Sequence, residues 1–411
     1  MPARPPSLGY LPGLDGVRAV AIIAVVAFHA SGLRLGGLGA AGVTVFFVLS
    51  GFLITRVLLA ERAATGTVSL RRFYTRRALR LLPALIAMVA ITTALRWANG
   101  DERALLEGAR AVSYVGDWWT VFSDGMGPLG ATWSLAVEEQ FYLVWPPLLI
   151  GLLAAGGVRS VTIGAGILLT AAVAVNSLFP WSSEARYLFA HLGLFQASSL
   201  LLGVVLALIS LPRMGGTWVL TAAALVVLTV ASAQPPTELW HRYADHAFAV
   251  AGVVLILVGI RGGVLALWPL PYIGRVSYSW YLWHAPVLYL VGDRTPMILG
   301  VALSFAVAMV SFHLLEQPIR QRGSQLRWTD RPSVRRGGHA PALLRIGSRA
   351  GAIAAAPSAV TIELASDPDT REIVGIDPTP VGAIVEPVGN WLVQRKEHVV
   401  DPVAFEQSRW V

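Results

Sequence analysis

A hydrocarbon core of roughly 30 Å is crossed by about 20 consecutive apolar residues in a helix, and stretches of that kind recur along most of this chain. Ten can be placed, near residues 17–35, 38–60, 78–96, 134–154, 161–179, 189–210, 216–232, 246–261, 272–292 and 296–316. Backbone N–H and C=O groups find no water in lipid, so a single segment that crosses it must satisfy them internally, as a helix. The sequence therefore predicts an all-α membrane protein, a bundle of about ten transmembrane helices over residues 1–322. The fourth window carries Glu138 and Glu139, and the eighth is barely long enough. No small-residue cleavage site separates the first window from the second, so the first is expected to be retained as a span.

The chain carries a formal charge of +8, which could suggest nucleic acid. Through Arg322, however, 22 Lys and Arg stand against 14 Asp and Glu, and beyond it 10 stand against 10. The excess belongs to the apolar part, where 55% of the whole sequence is hydrophobic and only 14% charged. Its arginines gather in short loops, as topology-setting cations do, and no nucleic-acid partner is expected. Across the junction of the second and third windows Arg56, Arg62, Arg71, Arg72, Arg76, Arg77 and Arg80 face one acid, Glu61, which marks the loop there as cytoplasmic. Residues 96–133 hold Asp101, Glu102, Glu107, Asp117 and Asp124 against Arg96, Arg103 and Arg110, and suit the opposite side. Both termini then lie in the cytoplasm.

Residues 323–358 are Gly-, Arg- and Pro-containing and predict a basic linker leaving the membrane. Residues 359–411 show short apolar runs broken by Asp-Pro, Thr-Pro and Gly, which fits a small, β-rich soluble module. There is no cysteine, so disulfides, thiolate metal sites and an acyl-cysteine are all excluded. No metal site is expected.

Ionisable residues inside apolar windows are costly and point to function. Arg18 and His29 are eleven residues apart, about three helical turns or roughly 16 Å on one face. Arg18 would sit at the cytoplasmic rim and His29 deeper. A neutral imidazole at depth can take a proton from an attacking alcohol. Glu138 and Glu139 lie where a helix is expected to begin and point about 100° apart, so at most one faces lipid. One of them could orient His29 or stabilise its charged form. Arg71, Arg72, Arg76, Arg77 and Arg80 place several guanidinium forks on a helix face entering the membrane. They are equally a topology signal and an anchor for phosphates, such as those of coenzyme A. His284 stands in a segment rich in interfacial aromatics, within an otherwise apolar helix. Glu316 beside Arg320 predicts an ion pair at the membrane interface.

Six segments in order carry a family resemblance. They are Leu14-Asp-Gly-Val-Arg-Ala-Val-Ala with His29 beyond it; Gly42-Val-Thr-Val-Phe-Phe-Val-Leu-Ser-Gly-Phe-Leu-Ile; and Phe73-Tyr-Thr-Arg-Arg-Ala-Leu-Arg-Leu-Leu-Pro83. Thr132-Trp-Ser-Leu-Ala-Val-Glu-Glu-Gln-Phe-Tyr, Ile273-Gly-Arg-Val-Ser-Tyr-Ser-Trp-Tyr-Leu-Trp-His-Ala-Pro and Glu316-Gln-Pro follow. From about Leu14 to Arg320 the chain resembles the acyltransferase 3 family of integral-membrane O-acyltransferases. The resemblance implies a ten-helix bundle in the bacterial inner membrane. It also implies acyl-CoA as a co-substrate with no permanently bound cofactor, and the family's Arg and His roles on Arg18 and His29. The implied reaction moves an acetyl or short acyl group to a hydroxyl of a carbohydrate or glycoside. Many members of this family carry an extracytoplasmic hydrolase-like domain after the bundle, and no such domain is evident here. A transporter or flippase of a polar lipid or sugar would use similar buried charges, but the repeat symmetry common in such folds is not evident. A membrane scaffold with a working tail would tolerate loss of the charges.

Overall fold

Pro12 stands in the first turn of helix α1 (Pro12–Ala30), where its missing N–H leaves no bond unmade, and Gly32 follows the end with φ 63°. The helix thus begins ahead of the apolar window at 17–35. Helix α2 (Leu38–Thr65) ends on Gly66, whose φ of 80° lies in the left-handed region, and α3 (Leu70–Ala98) starts behind Ser69, whose side chain accepts from the Arg72 N–H at 3.3 Å. The short α4 (Arg103–Val112) folds back against α3. These elements come from a computed structural model that describes residues 10–324 apart from 33–34, 36, 119–125, 179–193, 210–215, 234–237 and 293–294.

A 3-10 turn, Gly127–Thr132, leads into α5 (Trp133–Leu178), which breaks at Gly156 and Gly157. The windows at 134–154 and 161–179 are its two legs. Then come α6 (Leu194–Leu208), α7 (Thr217–Ala233), α8 (Glu238–Ile260), α9 (Leu270–Val291) and α10 (Met297–Ser311). A π turn, Phe312–Glu316, joins α10 to α11 (Gln317–Ser324).

Every regular element among the described residues is helical. Among the described residues, six segments are long and apolar enough to cross a bilayer: α1, α2, α3, α5 with its leading turn, Tyr243–Ile260 of α8, and Met297–Arg322. The protein is accordingly a multi-pass membrane protein. Six differs from the ten windows for physical reasons. The two legs of α5 form one run, α6 and α7 are short, and Arg275, Ser277, Tyr278, Ser279, Tyr281 and His284 dilute the apolar content of α9. The expected linker 323–358 and C-terminal module 359–411 lie outside the described residues, except where α11 ends.

Helix α1 lies between α2 and α9. Gly274 of α9 backs onto the Asp15 carbonyl with no room for a Cβ, and further along Arg18 meets Ser277 and His29 meets His284, so α1 and α9 run parallel. Helices α2 and α6 approach as closely, Gly51 against the Leu200 carbonyl and Gly203 against that of Val48, in antiparallel order. Lipid offers no hydrophobic drive between helices, so such small-residue contacts and internal hydrogen bonds hold them together. Trp145 Nε1 donates to Thr55 Oγ1 at 2.9 Å, Trp280 Nε1 to Ser304 Oγ at 3.0 Å, and the Tyr278 hydroxyl to the Leu81 carbonyl at 2.8 Å. At the far end of α3, Arg96 binds Asp101 through Nε at 2.8 Å and Glu107 through Nη1 at 2.5 Å, which ties α4 down.

Candidate active site

Helices α1, α2, α3, α5 and α9 leave a cavity between them that holds about 910 Å³ of empty space, open solvent at its mouth included. Its lining carries Arg18, Arg77 and Arg80 together with Glu138 and Glu139, and the apolar part includes Phe46, Phe47, Leu53 and Leu81. Hydroxyls from Ser50, Ser134, Tyr142, Ser277, Tyr278 and Tyr281 also reach it, together with Tyr114 from the segment after α4.

The charges are held in place by one another. Arg77 grips Glu139 with Nε 2.8 Å from Oε1 and 3.0 Å from Oε2, and its Cζ lies 3.3 Å from the centroid of the Tyr142 ring. The Tyr142 hydroxyl donates to Glu138 Oε1 at 2.6 Å, and the Ser50 hydroxyl donates to the same oxygen. Arg18 Nε donates to the Gly274 carbonyl at 3.2 Å and to Ser277 Oγ at 3.1 Å. Burial, and then the nearby Glu139 carboxylate, push the Tyr114 phenol well above its usual range, so it enters the cavity as a hydrogen-bond donor.

Five of the residues singled out in the sequence meet here: Arg18, Arg77, Arg80, Glu138 and Glu139. Arg71, Arg72 and Arg76 do not line the cavity. Arg71 is exposed, Arg72 lies 3.8 Å from Glu61, and Arg76 Nε donates to the Arg72 carbonyl at 3.4 Å, all on the outer turns of α3. His29 is also outside the lining, half-buried, with its ring 4.9 Å from that of His284 and nearly edge to face. No carboxylate contacts either ring among the described residues. Glu138 and Glu139, one of which was expected to orient His29, are committed to Ser50, Tyr142 and Arg77. Glu316, expected at the interface with Arg320, is instead 1% exposed and accepts from Ser279 Oγ at 2.9 Å. The π turn that ends at Glu316 carries it inward.

Comparison with known proteins decides the family. The model of the acyltransferase 3 family, described as an acyltransferase domain, matches residues 11–315. The chain belongs to that family. The peptidoglycan O-acetyltransferase OatA of Listeria monocytogenes is 32% identical to it, over 76% of this chain and 56% of that protein. The O-acetyltransferase OatA of Staphylococcus aureus is 29% identical, over 76% and 58%. The chain thus spans a little over half the length of these relatives. No solved structure matches it.

Within this acyltransferase domain, the ring of Tyr281 stands between the cavity and the histidines. It lines the cavity, its hydroxyl donates to the Ala131 carbonyl at 3.0 Å and lies 2.5 Å from Ser134 Oγ, and its ring centroid is 5.4 Å from that of His284. Sequence reasoning missed Ser50, Ser134, Tyr142 and Tyr281. The signal for Tyr142 was present, because it lies one turn after Glu138 on the same helix face. Ser50 offered none, since a lone serine in an apolar helix commonly binds its own backbone.

Proposed function

We propose that this domain moves an acetyl or short acyl group from acyl-CoA to a hydroxyl of a cell-envelope carbohydrate, through the membrane. The supporting observation is the cavity lined by Arg18, Arg77 and Arg80. Guanidinium forks suit phosphate oxygens, and Arg18 and Arg80 would hold the coenzyme's phosphates, with Arg71, Arg72 and Arg76 near the cytoplasmic entrance. Arg77 stays committed to Glu139 and keeps that acid in position. The pantetheine arm would follow the apolar lining toward Tyr281, beyond which His29 acts as general base on the acceptor hydroxyl. The relatives are named as O-acetyltransferases, that of Listeria monocytogenes for peptidoglycan, and a cell-wall glycan is the acceptor class we favour.

A general base contributes about 10²–10⁴-fold. Inside-out membrane vesicles bearing the full chain are expected to release free coenzyme A from acetyl-CoA and to place labelled acetyl ester on added glycan. His29→Ala is expected to reduce both by at least about 10²-fold with the protein still inserted. Vesicles that use no acyl-CoA, or a His29→Ala variant that retains most of the activity, would falsify this reading.

A further inference from the structure

We infer that His284 is the proton partner of His29, its free Nε2 stabilising the proton that His29 takes from the acceptor hydroxyl. The inference rests on the function proposed above and deepens it by one residue.

The backbone fixes both tautomers. His29 Nδ1 lies 2.9 Å from the Val25 carbonyl oxygen, and His284 Nδ1 lies 2.6 Å from that of Tyr281. A carbonyl oxygen only accepts, so each Nδ1 carries the hydrogen, and each neutral ring has its lone pair on Nε2. Two neighbouring imidazoles therefore both present an acceptor, with ring centroids 4.9 Å apart. His284 is wholly buried, and its Nε2 has no hydrogen-bond partner among the described residues. A buried ring nitrogen kept free of every donor is incomplete until a proton arrives next to it.

The acids that could otherwise balance a charged His29 are engaged elsewhere. Glu138 is held by Ser50 and Tyr142, Glu139 by Arg77, and Glu316 by Ser279. Two ring nitrogens with no third ligand do not form a metal cluster among the described residues. What they can share is one proton. As the acceptor oxygen bonds to the acyl carbon, its proton passes to His29 Nε2, and the lone pair of His284 stabilises the resulting cation. The carbon–sulfur bond breaks, the thiolate takes that proton, and coenzyme A leaves as the thiol. Both rings end neutral, and His284 acts through His29 as a positioning residue.

The test separates the two nitrogens of His284. His284→Asn keeps an N–H near the Tyr281 carbonyl and places nothing at Nε2, whereas His284→Gln reaches the Nε2 position with an amide oxygen that accepts. Full-length chain in inside-out vesicles is assayed with acetyl-CoA and glycan. His284→Asn is expected to lower kcat by about 10²-fold at an unchanged KM for acetyl-CoA, with His284→Gln several-fold more active than Asn. His284→Ala is expected to recover on addition of imidazole. A purely structural role gives the reverse order, Asn above Gln, and no rescue; either result overturns the inference, as does wild-type activity in all three variants. If Asn and Gln are both inactive and bind no acetyl-CoA, rescue of His284→Ala decides, and its failure discards the inference. An inactive His29→Ala beside an active His284→Asn removes this inference alone, while a wild type that turns over no acyl-CoA removes the function beneath it.

Discussion

Arg77 shows how one side chain can be read correctly for charge and still be placed in the wrong role. From the sequence it is one of five arginines available to phosphate; in the fold it is wrapped by Glu139 and Tyr142. Removing one member of a buried pair costs more than the pair contributes, because the other charge stays behind. Here the side chains keep 15% and 21% of their exposure, so water screens part of that cost. Glu139→Gln is expected to lower stability by about 2 kcal/mol, seen as a lower unfolding midpoint in detergent. Arg77→Met should cost a similar amount, and the double variant Arg77→Met/Glu139→Leu should recover most of the loss. Additive losses in the double variant contradict the pairing.

At the scale of elements, α9 divides the molecule's polar interior. Its Ser277, Tyr278 and Tyr281 face the cavity, while His284, one turn on from Tyr281, faces His29. A Tyr281 ring anchored at Ala131 and Ser134 limits what passes between the cavity and the histidine pair. Tyr281→Ala is expected to join them and to raise turnover of octanoyl-CoA relative to acetyl-CoA by about 10-fold or more, since each methylene admitted to an apolar pocket is worth about 1–3 kcal/mol. An unchanged ratio of the two rates means that Tyr281 does not set acyl length. Very little of this partition could be read from the chain. Helices were legible because lipid demands apolar runs of a minimum length, and Arg18, Arg77, Arg80, Glu138 and Glu139 were legible because charge is costly there. Which helices touch was not, because it depends on contacts such as Gly274 on Asp15 and Arg18 on Ser277, 259 residues apart. The stagger between the arginine cavity and His29 follows from those contacts, and the eleven-residue spacing on α1 alone could not reveal that Tyr281 comes between.

For the whole molecule, the question is which side of the membrane the arginine-bearing end of α3 faces. Helix α3 has 29 residues, a length of roughly 43 Å that exceeds a hydrocarbon core of about 30 Å, so its two ends emerge on opposite sides. Thr67 precedes it and Asn99 follows it, and both are exposed. The chain has no cysteine, so a single introduced thiol reports without background. With the loop of Arg62, Arg71 and Arg72 in the cytoplasm, Thr67→Cys is expected to react with a membrane-impermeant maleimide in inside-out vesicles and to resist it in intact spheroplasts. Asn99→Cys should show the opposite pattern. Arg77 and Arg80 of α3 line the cavity, so this orientation is the one that turns their end of the helix toward a cytosolic coenzyme A ester. The reverse labelling would place that end outside the cell, where no coenzyme A ester is supplied, and the donor would have to be a different activated acyl group reaching the cavity from the other side.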